Sequence, residues 1–207
     1  MPVSTPEPVP AGPAPAGDRA EPSVRVGVSV GADAVTLGGG AALVVTQPDG
    51  SAFAQIPAGE VWRVVPAGAE LALINASGGA SPRAEALSVA AADGDVVRTG
   101  GREYHGTLDL LRDRTGLTLV NRVGLEDYVA GVVGGEMGRR DSSEMEALRS
   151  QAVASRTYAL RNMGRWRSQG FDYYGTVTDQ VYTGIRGENA LARQAVADTR
   201  GEVLTFG

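Results

Sequence analysis

The stretch LTLVNRVGLEDYVAGVVGGEM, residues 117–137, carries two periodicities in succession. LTLVNRV reads as a strand that forms a hairpin with LDLL (108–111) across the charged turn Asp113–Gly116. Behind Gly124, the apolar residues Leu125, Tyr128, Val129, Val132 and Val133 recur at helical spacing. That pattern stops at the Gly134-Gly135 pair, so a short amphipathic helix is expected to end beside Glu136. A hairpin that runs straight into helices predicts an α+β core.

Towards the C-terminus, Asp141-Ser142-Ser143 offers N-cap chemistry for a helix carrying Met145, Leu148, Ala152, Tyr158 and Leu160 up to Met163. The spacing of Ser143 and Glu146 predicts a capping box at its start. After a loop around Gly170, TVTDQVYTG reads as a strand, residues 188–199 as a third helix and GEVLTF as a further strand. Towards the N-terminus, VRVGVSV, AALVVTQ, VWRVV, ELALIN and DVVR are separated by Gly, Pro, Asn or Asp, the pattern of a small all-β module. Met1 to Pro22 hold seven of the eleven prolines, a composition that favours extended, unpacked backbone. The expected organisation is a linker over 1–22, a β-rich module over 23–100 and a mixed helix/strand core over 101–207.

Composition narrows the chemistry. A net charge of -5, with Arg and acidic residues interspersed, gives no basic stripe to neutralise a run of phosphates, so nucleic acid is not an expected partner. The chain has no cysteine, which excludes disulfides, thiolate nucleophiles and Cys-ligated zinc. Its one histidine, His105, leaves no His pair for a metal. No apolar run reaches the roughly 20 residues of a membrane-spanning helix, and the first residues lack a signal-peptide pattern.

Gly27-Val28-Ser29-Val30-Gly31 fits the G-x-S-x-G pattern of a serine hydrolase, but that elbow needs a strand, a sharp turn and a helix. Ser29 sits inside a β-branched run with more β pattern after it, so an ordinary strand serine is the better reading. His105 follows Tyr104 at a strand entry with no acid at a telling spacing, and reads as structural. The glycines at 38–40 and 100–101 read as turns.

Glu136 has more to offer. A carboxyl at the negative end of a helix dipole is disfavoured as the anion, and a protonated carboxyl beside a partly dry cleft can donate to a glycosidic oxygen. On the residues alone, a solvated helix-end glutamate is the plainer reading. Gln151 and Arg156 lie in an Ala- and Val-rich run, where they either brace the fold or project towards sugar hydroxyls and acetamido groups.

YHGTLDLL, LTLVNRVGLEDYVAGVVGGEM, EALRSQAVASRTYAL, DQVYTG and AVADTRGEVLTFG, in that order, resemble the stage II sporulation protein D and LytB amidase-enhancer family from about Tyr104 onwards. The resemblance implies a lytic transglycosylase or an amidase enhancer at the cell wall, with the catalytic glutamate of the G-E-M motif at Glu136. Such an enzyme needs one carboxylate, because the sugar's own 6-hydroxyl attacks and a 1,6-anhydro product forms; other glycosidases generally need a second. Gln151, Arg156, Tyr158, Gln180 and Tyr182 match motif positions around the family's cleft, as substrate-binding groups or as core and bracing residues.

The resemblance further implies peptidoglycan strands stripped of stem peptides as substrate and an N-acetylmuramoyl-L-alanine amidase as partner. It places the protein in the cell envelope or outside the cell and calls for no cofactor. The cysteine some members carry near the DYYGTV position is a tyrosine here, so no metal is expected. Where the family continues after the glutamate with a proline and then a tryptophan, this chain has Gly138-Arg139-Arg140-Asp141. Family cores also continue past the V-L-x-x-x-G-like end, so the core is expected to be incomplete at its C-terminus. A non-catalytic enhancer that binds glycan or amidase is the alternative to the transglycosylase.

Overall fold

The computed structural model describes residues 21–205, apart from 93 and 95. The linker expected over 1–22 thus lies outside the described residues up to residue 20. The described chain is α+β, with two sheets and three α-helices.

The strands are β1 (Ser23–Ala32), β2 (Val35–Gly38), β3 (Leu43–Thr46), β4 (Ala52–Ile56), β5 (Val61–Ala67), β6 (Glu70–Ile74), β7 (Ala80–Ala84), β8 (Ala86–Ala91), β9 (Val97–Thr99), β10 (Arg102–Tyr104), β11 (Thr107–Arg112), β12 (Leu117–Gly124) and β13 (Tyr173–Tyr174). The helices are α1 (Leu125–Met137), α2 (Met145–Asn162) and α3 (Ala190–Asp198). One sheet has the order β13-β1-β12-β11-β8-β3-β4 and the other β10-β9-β2-β5-β6-β7. Neighbours are antiparallel except β1 and β13, which run parallel.

β11 and β12 form the expected hairpin, with Leu110 opposite Leu119. β1, from the strand-rich N-terminal part, lies between β12 and β13, so both parts of the chain share one sheet. They also share one core, in which Val26, Leu43 and Leu108 lie with Tyr128, Val132 and Leu148, all 0% exposed. Burial of each such side chain contributes about 1.5–3 kcal/mol. Ser29 pairs with Leu119 within β1, the strand position the sequence favours, and not on a nucleophile elbow.

α1 does not stop at Gly134-Gly135. It runs through both to Met137, because another segment needs their missing side chains: a Cβ on Gly134 would lie 1.7 Å from the Gly187 carbonyl oxygen, and one on Gly135 would lie 2.8 Å from that of Val181. These glycines mark a close backbone approach. At the other end of α1, no side chain of Gly124 can cap; the Pro22 carbonyl accepts from Leu125 N–H (2.9 Å) and the Glu21 carboxylate from Glu126 N–H (2.8 Å).

Two other local readings shift. The capping box forms two residues earlier than expected, between Asp141 and Glu144, at a 3-10 turn that leads into α2; Glu146 pairs instead with Arg149. TVTDQVYTG is no strand, because its Asp179 is drawn inward by four hydrogen bonds described below. Residues 201–205 likewise form no strand: Leu204 N–H donates to Thr157 Oγ1 at 2.9 Å, which lays that segment along α2.

Candidate active site

Glu136 stands exposed in the last turn of α1. Its carboxylate is nevertheless held at both oxygens. Gln151 Nε2, from α2, donates to Oε2 at 2.6 Å, and the Val181 backbone N–H donates to Oε1 at 3.4 Å. Gln151 Nε2 also lies 3.2 Å from the buried Ser155 hydroxyl, one helical turn on, which ties the amide to its own helix. Three elements therefore meet at one carboxyl: the end of α1, the middle of α2 and the segment after β13.

That last segment reaches Glu136 because of the α1 glycines. Gly131 faces the Tyr182 ring, Gly134 the Gly187 carbonyl and Gly135 the Val181 carbonyl, so the chain from Val181 to Gly187 lies directly on the helix. Tyr182 pins it from below, 1% exposed, with its hydroxyl donating to Asn121 Oδ1 at 2.8 Å. Asn121 in turn donates to the carbonyls of His105 and Thr107, so β12 fixes both flanks. Tyr128 donates to Gln180 Oε1 at 3.0 Å and stacks on Tyr173, with 5.5 Å between ring centroids. Burial raises the pKa of both Tyr128 and Tyr182, so these phenols remain hydrogen-bond donors.

The sequence-derived residues separate into two groups. Gln151 and Tyr158 are half-buried on the Glu136 side of α2 or next to the segment that meets it. Gln180, 6% exposed, and Tyr182 lie beneath that segment. Arg156 is 1% exposed and faces away into the protein, bonded to both oxygens of Glu126 (2.9 and 2.6 Å) and to the carbonyls of Glu202 and Val196. Of its two open roles, the structure places Arg156 as a brace between α1, α2, α3 and the C-terminal segment.

Three other carboxylates on these elements are each paired with an arginine. Glu126 is tied to Arg156, Asp127 to Arg193 and Asp179 to Arg165. His105, with no acid at a telling spacing in the sequence, meets Glu188 at 3.4 Å and Arg193 at 2.8 Å, 83 and 88 residues away. Among the described residues, no cluster of three or more His, Asp or Glu could hold a metal. A 370 Å³ cavity between the sheets, lined by Ser29, Thr36 and Tyr104, does not include Glu136. An open carboxyl suits a polymer that lies across the surface better than a small molecule that is enclosed.

Gln151 was legible in the sequence as a polar residue on an apolar helix; Val181, Ser155 and Asn121 were not. Val181 acts through its backbone, which leaves no signature in residue type.

Residues 113–206 match the SpoIID family, described as stage II sporulation protein. The chain is also 38% identical over 113 residues to an uncharacterized protein of Brachyspira hyodysenteriae, an alignment that covers 54% of this chain and 30% of the relative. The chain thus spans under a third of the relative's length. No solved structure matches. Residues 113–206, which hold β12, all three helices and the Glu136 site, thus form a domain of the SpoIID family, described as stage II sporulation protein.

Proposed function

We propose that this protein is a peptidoglycan lytic transglycosylase whose single acid/base is Glu136. The observation that carries this reading is one exposed carboxyl at the G-E-M position, oriented by Gln151 and by the Val181 N–H, while Glu126, Asp127 and Asp179 are each engaged by an arginine.

The chemistry needs one carboxyl, and Glu136 is the one that no arginine engages among the four. Protonated Glu136 gives its proton to the glycosidic oxygen between N-acetylmuramic acid and N-acetylglucosamine as the C1–O bond breaks. The muramic acid C6 hydroxyl then bonds to C1, and its proton passes to the Glu136 carboxylate. A 1,6-anhydro ring and a free N-acetylglucosamine hydroxyl result, and the glutamate regains its starting state. No water is consumed, so the site needs no second carboxylate to activate one. Gln151 and Val181 contribute by holding the carboxyl in a fixed direction.

The substrate is a strand from which an amidase has removed the stem peptides, and the setting is the cell envelope or the space outside it. Incubating such strands with the protein and with its Glu136→Gln variant tests the reading. Soluble fragments should appear with the first alone. Stimulation of an N-acetylmuramoyl-L-alanine amidase by both proteins, without fragments from either, would favour a non-catalytic enhancer instead.

A further inference from the structure

Asp179 has no part in the proton chemistry above, yet its side chain is 0% exposed. A carboxylate leaves water at a large cost unless its lone pairs are filled. Here they are filled. Oδ1 accepts from the Tyr158 hydroxyl (2.8 Å) and from Arg165 Nη1 (2.9 Å), and Oδ2 accepts from Trp166 Nε1 (2.7 Å) and Tyr174 N–H (2.9 Å). Arg165 Nη1 also donates to the Tyr158 oxygen at 3.0 Å.

The groups that converge on Asp179 are not themselves core. Tyr158, Trp166 and Tyr174 are half-buried, and the Arg165 side chain is 46% exposed. Trp166 meets Tyr174 edge to face, with centroids 5.0 Å apart, and the Arg165 guanidinium lies 5.5 Å from the Trp166 ring centre. With its N–H turned inward, what Trp166 leaves to solvent is carbon surface. Arg165 spends Nη1 inward, and among the described residues nothing takes its Nε or Nη2.

This ledge is joined rigidly to the candidate active site. Asp179 is two residues before Val181, whose N–H meets Glu136, and a turn closed by Asp179 N–H on the Thr176 carbonyl (3.1 Å) leads into it. Tyr158 belongs to α2, two turns beyond Gln151. Tyr158 and Asp179, which anchor the ledge, therefore sit on the same two elements that orient Glu136.

We propose that Trp166, Tyr174 and Arg165, locked in place by Asp179, form a saccharide subsite that holds the glycan strand beside Glu136. The inference rests on the reading of Glu136 as a group acting on glycan. The chemistry fits a pyranose ring: its C–H face packs on exposed aromatic carbon, while guanidinium N–H groups donate to hydroxyl and acetamido oxygens. Asp179 is a positioning residue here, and touches no sugar itself.

The chain has two tryptophans, so Trp62→Phe leaves Trp166 as the sole indole reporter. In a Trp62→Phe/Glu136→Gln protein, which binds without cleaving, amidase-treated strands should change Trp166 emission saturably. By calorimetry on the Glu136→Gln background, Trp166→Ala should weaken strand binding about tenfold, the order expected for one lost aromatic contact. Asp179→Asn, which keeps the shape but weakens the anchor, should lower affinity while far-UV circular dichroism stays native.

Unchanged emission at saturating strands, or a Trp166→Ala protein that binds as its parent does, would overturn the subsite. Cleavage is read separately with unsubstituted protein. Anhydro products together with normal binding by Trp166→Ala would remove the ledge and leave Glu136 standing; a responding Trp166 without cleavage would do the reverse.

Discussion

Replacing Arg156 by Ala separates a bracing residue from a sugar ligand. The guanidinium is 1% exposed and bonds to both Glu126 oxygens and to two carbonyls, Glu202 and Val196. Removing it leaves Glu126, 13% exposed, without its partner, and leaves a cavity where the side chain lay. Breaking a buried ion pair in this way costs about 3–5 kcal/mol. Glu126 keeps some access to water, which puts the expected loss near 3 kcal/mol. For a chain of this size, that corresponds to a fall in Tm of roughly 6–12 °C. Urea unfolding followed by circular dichroism measures the loss directly. The double variant Arg156→Met/Glu126→Gln should recover part of it, since no charge is then stranded. A loss under about 1 kcal/mol in Arg156→Ala, with weakened glycan binding, would refute the bracing role.

Three further outcomes are expected. Gly134→Ala should destabilise the protein by at least about 2 kcal/mol in urea, although alanine is the better helix former, because its Cβ would sit 1.7 Å from the Gly187 oxygen; a stabilised variant would contradict the close approach. Gln151→Leu should lower kcat about ten- to hundredfold with little change in KM, as Glu136 loses its fixed direction; an unchanged kcat would remove Gln151 from the mechanism. Acid should destabilise the fold between about pH 4 and pH 2. Burial pushes the Asp172 carboxyl up, but the bonds and charge of Arg25 outweigh it and hold the group below its ordinary value. Burial likewise pushes the Asp113 carboxyl up, but the hydroxyls of Thr115 and Thr118 with the N–H groups of Thr115 and Gly116 outweigh it and lower the group to about 2. Lowered carboxyl pKa values stabilise the folded state above the unfolded value of about 3.9, and that contribution is lost as pH falls through the folded values. Asp172→Asn should flatten this loss in an acid titration followed by circular dichroism.

Local periodicity carried much of the architecture. The LDLL–LTLVNRV hairpin and the apolar faces of α1 and α2 announce themselves within a few residues, because each pattern repeats at the period of its own element. β4, β7 and β8 did not: AFAQI, ASPRA and ALSVAA are rich in alanine and short on β-branched residues, and they form strands because neighbours in the sheet pair with them. TVTDQVYTG erred in the opposite direction. Its β-branched residues resemble a strand, but tertiary bonds to Asp179 override that preference.

The site was legible only in part for the same reason. Glu136 and Gln151 stand out by residue type and place on a helix. What joins them does not, since Gln151 is 15 residues from Glu136 and Val181 is 45. Gly134 and Gly135 read as a helix stop, because sequence shows what glycine lacks but not which chain fills the space. Arg165, Trp166 and Tyr174 gather only through Asp179, and the cap that Glu21 places on α1 spans 105 residues.

The central claim turns on the chemistry of one bond, and mass spectrometry of amidase-treated glycan strands incubated with the protein reads it directly. Glu136-dependent transfer to the C6 hydroxyl predicts fragments ending in 1,6-anhydro-N-acetylmuramic acid from the unsubstituted protein and none from Glu136→Gln. Fragments heavier by one water would mean hydrolysis and a second catalytic group. Equal anhydro products from both proteins would contradict the assignment of Glu136.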